Sequence, residues 1–323
     1  MEIGKRPVRI VARQNGVGLD RDVQLLQSTL PPGTLVENYS VRSLASIADR
    51  FKSLCCSPAP GSLPLNVLVE RVPWAWVKNQ GQSVLLPNQE RFPKRLLHRL
   101  RDIDIVLCKS RHAEEIFSRH AKQARFIGFT SLDRRLPEVA PDYGKFFHLA
   151  GSSTLKGTQM LLELWSQNPQ WPTLTIVQHP RHAPETVPAN VALFKEYLTD
   201  AVLQRMQNEH GIHLCPSRSE GWGHYIVEAM SCAAVVVTTD APPMNELVDE
   251  SRGFLVPWNR SQPRHLGTDF FVDPAELQRV INEILATDTA SLEQRGQAAR
   301  AWFETNEVEF ETRARELFLE LLQ

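Results

Sequence analysis

Two glutamates, Glu220 and Glu228, are separated by seven residues in the run Ser217-Arg218-Ser219-Glu220-Gly221-Trp222-Gly223-His224-Tyr225-Ile226-Val227-Glu228. A Gly-x-Gly turn lies between them and an apolar helical pattern follows. Glu228 therefore falls in the first turns of a helix, and Glu220 in the loop ahead of it. Loop amides and a helix N-terminus favour phosphate. A fixed carboxylate can accept both hydroxyls of a ribose, so the pattern suits a sugar nucleotide. Gly221 and Gly223 would let the backbone approach such a ligand closely, or serve only as a turn. Trp222 reads as packing beside them. His224 is a candidate by neighbourhood, with a structural histidine as the alternative.

A second loop has the same character. Gly151-Ser152-Ser153-Thr154-Leu155-Lys156-Gly157-Thr158 follows a strand pattern and opens a helix. Lys156 would then stand among amides at a helix N-terminus, where a diphosphate binds. The alternative is a solvated lysine at a helix start.

These residues resemble the retaining glycosyltransferases of family four, which have the two-domain GT-B fold. The resemblance rests on Cys215-Pro216-Ser217, on Glu220 to Glu228, and on Ser231-Cys232-Ala233-Ala234. It continues through Val235-Val236-Val237-Thr238-Thr239 and Asp240-Ala241-Pro242-Pro243-Met244-Asn245-Glu246-Leu247-Val248, and covers roughly residues 146 to 260. It implies a donor site of Gly151, Ser152, Lys156, Gly221, Trp222, Gly223, His224 and Glu228. Glu228 would hold the donor ribose. Glu220, beside the transferred sugar, and Lys156, on the diphosphate, would be the catalytic groups. The family places an arginine directly after the glycine of the first loop. Ser152 stands there, so the diphosphate charge must be offset otherwise, an arginine from elsewhere being one way.

The first half offers weaker signals. Asn15-Gly16-Val17-Gly18 is the counterpart loop, either a turn or a contact to donor phosphates or acceptor, with Asn15, Gly16 and Gly18 as its candidates. The third glycine of a dinucleotide fingerprint is missing. Where the resembled family often carries a histidine, the chain reads Leu86-Pro87-Asn88-Gln89-Glu90, and Glu90 or Asn88 would fill that place. Asp102-Ile103-Asp104 has chelating spacing but opens an apolar strand pattern without a third ligand, so no metal is expected. The resemblance likewise implies no metal and no cofactor beyond the donor substrate, a nucleoside diphosphate sugar.

Arg91-Phe92-Pro93-Lys94-Arg95-Leu96-Leu97-His98-Arg99-Leu100-Arg101 is basic and amphipathic. It reads as a surface helix whose apolar side enters the core, or as a weak peripheral contact to anionic lipid at the inner membrane face. Nucleic acid is a poor partner, because aromatics do not interleave with these charges.

The elements that must position these groups alternate. Val8 to Ala12, Leu65 to Val69, Ser83 to Leu86, Ile103 to Cys108 and Arg125 to Ile127 read as strands. Helical patterns lie between them, at Asp20 to Leu30, Ser40 to Phe51 and Arg111 to His120. Pro137 to Gly144 reads as a hinge. Beyond it, strands at Phe146 to Ala150, Thr173 to Gln178, Ile212 to Cys215 and Val235 to Thr239 alternate with helices at Lys156 to Ser166, Thr199 to Asn208 and His224 to Ser231. Helical patterns at Pro274 to Ala286 and Ser291 to Leu322 close the chain. Such alternation predicts parallel sheets covered by helices, an α/β protein of two doubly wound, Rossmann-like domains. With the resemblance, these face each other across a cleft. The expected division is an acceptor-binding domain over 1–142, a nucleotide-sugar-binding domain over 143–300, and a terminal helix over 301–323 crossing back to the first.

Composition agrees with an α/β protein of this kind. The chain has 323 residues, 42% hydrophobic and 23% charged, with net charge −1. Residues 1–142 carry 22 Lys and Arg against 14 Asp and Glu, while residues 143–323 carry 14 against 23. A basic half suggests an anionic acceptor or surface. Five cysteines without metal spacing, including Cys55-Cys56, read as thiols of a cytoplasmic protein. The N-terminus passes straight into a strand pattern and is not expected to be a signal peptide. Neither base, sugar nor acceptor is legible. The alternatives to transfer are a nucleotide-sugar sensor whose Ser152 marks lost catalysis, a GT-B epimerase, a phosphorylase and a dehydrogenase. No pyridoxal lysine motif supports the phosphorylase, and the incomplete glycine fingerprint argues against the dehydrogenase.

Overall fold

The computed structural model describes residues 6–13, 18–40, 63–73, 76 and 81–323. Asn15, Gly16, Cys55, Cys56 and nearly all of the helix expected over Ser40 to Phe51 lie outside the described residues. The chain divides into two units. One comprises residues 1–130, 264–267 and 307–323, the other residues 131–263 and 268–306.

The first unit is built on a six-stranded sheet. Its strands are β1 (Val8–Ala12), β2 (Val36–Ser40), β3 (Leu65–Val69), β4 (Gln82–Leu86), β5 (Ile105–Cys108) and β6 (Ala124–Phe126), in the order β2-β1-β3-β4-β5-β6. Every pairing is parallel. Such sheets are covered on both faces, which is why β3 and β5 are buried along their whole length. Helices α1 (Gly18–Ser28) and α2 (Arg111–Ser118) supply part of the cover.

The basic stretch forms two short 3-10 helices, Gln89–Arg91 and Lys94–Asp102. Its apolar side is core: Phe92, Leu96 and Leu100 are buried with Phe117 and Trp76. Asp102 and Asp104 do not act together. Asp104 accepts the Ser83 amide at 2.9 Å and pairs with Lys122 at 3.4 Å, whereas Asp102 lies near Arg101.

The second unit repeats the plan. Its strands are β7 (Asp142–Gly151), β8 (Leu174–Gln178), β9 (Val191–Phe194), β10 (His210–Cys215), β11 (Val235–Thr239) and β12 (Gly253–Val256). They run in the order β12-β11-β10-β7-β8-β9, again all parallel. β7 starts inside the segment read as a hinge. The β-branched run of β11 is buried on both faces, as a central parallel strand must be.

Helices α3 (Thr158–Gln167), α4 (Asp200–Glu209), α5 (His224–Ser231), α6 (Met244–Leu247) and α7 (Pro274–Ala286) accompany this sheet. In α7, Leu277, Val280, Ile281 and Ile284 form one buried stripe, and Asp273 caps the helix start through the Ala275 amide. α8 (Thr289–Leu321) ends the chain. A two-stranded sheet of β13 (Trp258–Arg264) and β14 (Gly267–Val272) intervenes between β12 and α7.

Strand order fixes where a ligand goes. The chain leaves β7 toward β8 and β9, then returns to the other side of β7 with β10. The point where the order reverses lies between β7 and β10. In open α/β sheets, ligands bind there, beyond the carboxyl ends of the strands.

Candidate active site

The two loops with chemical promise leave β7 and β10 at that reversal. Gly151 ends β7 with φ 56°, and no atom lies within 4 Å of where its side chain would be. The loop closes at Gly157, whose φ of 73° starts α3. Gly157 also faces Pro216, the first residue after β10. A side-chain carbon there would stand 2.6 Å from the Pro216 carbonyl oxygen. The Arg218 amide donates to the Leu155 carbonyl at 2.8 Å. The two loops are therefore fastened backbone to backbone.

His148 secures the strands beneath. One ring nitrogen lies 2.7 Å from the Leu214 carbonyl of β10 and the other 2.9 Å from Thr158 Oγ1 at the start of α3. Burial pushes its pKa down to about 4. It is a neutral clamp rather than a charge for a ligand.

α3 and α5 start differently from α2, α4 and α7. α2, α4 and α7 are capped by the side chains of Ser110, Thr199 and Asp273. α3 and α5 each begin at a left-handed glycine, Gly157 and Gly223, with no side-chain cap. The first amides of a helix have no intrahelical acceptor. At both starts the third amide turns back onto the glycine carbonyl, Met160 to Gly157 at 3.1 Å and Ile226 to Gly223 at 2.9 Å, and a helix start of this kind favours an anion.

Lys156 lies between these starts. Its ammonium donates to the Leu149 carbonyl at 3.0 Å and sits 3.7 Å from the centre of the Tyr225 ring. The Tyr225 hydroxyl is 2.6 Å from Ser217 Oγ, which donates to Glu220 Oε1 at 2.6 Å. Burial holds the Tyr225 phenol neutral, well above its ordinary pKa, and the nearby Cys215 and Glu220 act in the same direction. Ser217, fully buried, thus ties Glu220 to the first turn of α5. Lys156, Tyr225, Ser217 and Glu220 form one cluster.

Glu228 faces another set of partners. It is 1% exposed, and Gln207 Nε2 approaches its Oε2 at 3.4 Å. Gln207 in turn accepts from Arg134 Nε at 2.9 Å, while Arg134 grips Asp200 through two hydrogen bonds of 2.9 Å. Trp222 is 5% exposed. His224 Nδ1 lies 2.9 Å from Ser131 Oγ. Ser152 lies on the Gly151–Gly157 loop and Gly221 on the loop from β10, and Gly18 opens α1 in the other unit.

Glu90 is in the first unit, nearly buried. It lies 3.5 Å from Arg91, which also approaches Glu70 at 3.9 Å. Glu70 directly follows β3 with φ 64°, a left-handed conformation unusual for a residue with a side chain. Asn88 accepts from Lys109, whose ammonium makes a buried ion pair with Asp22 at 2.6 Å. Among the described residues no cluster of His, Cys, Asp or Glu could hold a metal ion, and no helix is long and apolar enough to cross a membrane.

Sequence reasoning missed three parts of this arrangement. The Tyr225–Ser217 link spans eight residues through a turn, and the His148 clamp looks like any strand residue. Arg134 lies far from Gln207 in the chain. The small-polar-small texture of Pro216-Ser217 was the only signal for the first.

Comparison with known proteins bears on the fold. Residues 147–269 match the family model described as glycosyl transferases group 1. No curated protein sequence matches the chain. A glycosyltransferase from Rickettsia africae superposes with a TM-score of 0.75 at 13% identity, covering 99% of each chain. Anabaena Alr3699/HepE, solved in complex with UDP and glucose, gives 0.72 at 15% identity, over 98% of this chain and 100% of that one. A chain of the GtfA/B complex gives 0.61 at 16% identity, over 84% of this chain but 60% of that one. The fold is that of the GT-B glycosyltransferases, and the stretch matching the group 1 model contains both loops at the reversal of the second sheet.

Proposed function

We propose that this protein is a retaining glycosyltransferase that moves a sugar from a nucleoside diphosphate sugar to an acceptor hydroxyl. One observation carries the reading. Two helices begin at uncapped, left-handed glycines beside the strand reversal, with Lys156 between them. That combination offers amides and one cation to a diphosphate.

Glu228 is assigned to the donor ribose and Glu220 to the transferred sugar. Gly151 and Ser152 line the phosphates, together with Gly221, Trp222, Gly223 and His224. The transition state is sugar-cation-like and its leaving group is a diphosphate. Amides and Lys156 aimed at that growing charge supply most of the rate. The acceptor hydroxyl attacks from the leaving-group face and passes its proton to the departing phosphate. This needs no strong general base and no metal. The basic first unit is assigned to the acceptor, which its charge favours as an anion.

Thermal denaturation with UDP, GDP, ADP and their sugar conjugates tests the reading, for wild type and Glu228→Ala. Ligand at a hundred times its dissociation constant raises stability by about 2.7 kcal/mol. A shift with one nucleotide, absent in the variant, is expected. No shift with any nucleotide would sink the donor-site assignment. The sensor reading, favoured by Ser152, is excluded once the protein transfers or hydrolyses the donor's sugar.

A further inference from the structure

Arg218 follows Ser217 on the loop from β10. Its amide bonds to Leu155, the residue before Lys156, and its own carbonyl accepts the Phe270 amide of β14 at 2.7 Å. The two-stranded sheet of β13 and β14 is thereby fastened to the loop that carries Glu220.

A second arginine arrives with it. The guanidinium of Arg260, on β13, lies 3.5 Å from the centre of the Phe271 ring. The guanidinium of Arg218 lies 4.6 Å from the same centre. Neither makes an ion pair among the described residues. Other arginines of this unit do: Arg134 with Asp200, Arg252 with Asp249, Arg279 with Glu276 and Glu283, Arg300 with Asp133. Two guanidiniums on one ring repel each other. The aromatic face holds them in place without neutralising them.

Ser219, next on the loop, is 5% exposed, and its hydroxyl finds no protein partner. A buried hydroxyl left without a protein partner is costly, which favours a ligand or water there. The loop therefore holds an unpaired guanidinium and an unpaired buried hydroxyl, and its backbone is fastened to Leu155, the residue before Lys156. Ser152 leaves the neighbouring loop without a cation at its own second position.

We propose that Arg218 and Arg260, held on Phe271, form an anion-binding pair that takes the diphosphate of the donor together with Lys156. A guanidinium fork matches two phosphate oxygens at once. Bound diphosphate relieves the repulsion between the two arginines, so the pair favours a dianion over a monoanion. The inference deepens the donor-binding reading of these loops and rests on it for the identity of the ligand. The anion pair itself stands on the arginines alone.

Calorimetric titration with inorganic pyrophosphate and with UDP, GDP and ADP tests it, on wild type, Arg218→Gln and Arg260→Gln. Circular dichroism melts identify any unfolded variant. Arg260 is exposed on β13, so Arg260→Gln tests the pair even if Arg218→Gln unfolds. Each substitution is expected to weaken pyrophosphate and the preferred nucleoside diphosphate about ten- to a hundredfold. Phe271→Leu should weaken both about three- to tenfold. The losses should shrink as salt is raised. If pyrophosphate binding responds in this way but no nucleoside diphosphate binds, the anion pair stands and the donor reading falls. If a nucleoside diphosphate binds both folded variants within twofold of wild type, the pair is overturned and the donor reading survives. Absence of binding by pyrophosphate and by every nucleotide overturns both.

Discussion

Gly157 and Pro216 meet so closely that a side-chain carbon on the glycine would lie 2.6 Å from the proline's carbonyl oxygen. The two loops of the site touch there. Alanine at Gly157 would keep a left-handed φ of 73° and force the loops apart. The left-handed conformation costs about 1–2 kcal/mol and the clash adds to it, for a total of about 2–4 kcal/mol. Urea denaturation should show this loss. Gly151 is the contrasting case, with φ 56° but open space around it. Gly151→Ala should cost only about 1–2 kcal/mol of stability. Its nucleotide affinity should nevertheless fall at least about tenfold, the mark of a ligand that approaches this backbone.

Lys156→Met should lower kcat/KM about ten- to a hundredfold, since a hydrogen bond to a charged group contributes about 1.5–3 kcal/mol. Under the proposed mechanism the loss belongs to the step in which the diphosphate leaves. It should therefore appear in kcat and not only in KM. Steady-state kinetics with saturating donor makes the distinction.

Tyr225→Phe keeps the ring beneath Lys156 and removes the hydroxyl that meets Ser217 at 2.6 Å. The stability cost should be about 1 kcal/mol. Ser217 would still donate to Glu220 but would lose its anchor on α5. A fall of about three- to tenfold in kcat with KM unchanged is expected if that anchor orients Glu220. Equal kcat values would show that Ser217 holds the carboxylate unaided.

Two buried histidines set an acid limit. Burial lowers the pKa of His148 from 6.5 to about 4 and that of His213 to about 3. The unfolded chain takes up these protons near pH 6.5, while the folded protein takes them up only near 4 and 3. Their contribution is intact above pH 6.5 and is lost as pH falls toward 4. For His148 alone the loss is on the order of 3 kcal/mol. Melting temperature should fall steeply between pH 6.5 and 4. His148→Gln, although less stable at pH 7, should show a shallower slope there.

The central elements were legible because their residues do one thing only. Val235 to Thr239 is an unbroken β-branched run, and the structure has β11 over those same residues. Leu65 to Val69 and His224 to Ser231 behave alike. Edge elements were not legible. β2 reads Val-Glu-Asn-Tyr-Ser, and its partly exposed pattern lacks an apolar run. β9 is a four-residue edge strand. β13 is almost wholly exposed and contains a proline, so neither periodicity nor burial announced it, although it carries Arg260. At the site, the loops and their glycines stood out from composition. Their fastening did not, because Gly157 against Pro216 and Arg218 against Leu155 are encounters between distant stretches of chain.

The pairing of β7 with β10 sets Phe147 opposite His213, and the His148 side chain reaches the Leu214 carbonyl 66 positions away. β8, α3, β9 and α4 intervene, so this pairing closes a long loop and is entropically demanding. Neither of the loops that follow β7 and β10 has its neighbour until it forms. Under the proposed donor assignment, the ability to bind nucleotide should therefore emerge late during refolding, after helical signal has recovered, and a chain released from synthesis before residue 215 should not bind it.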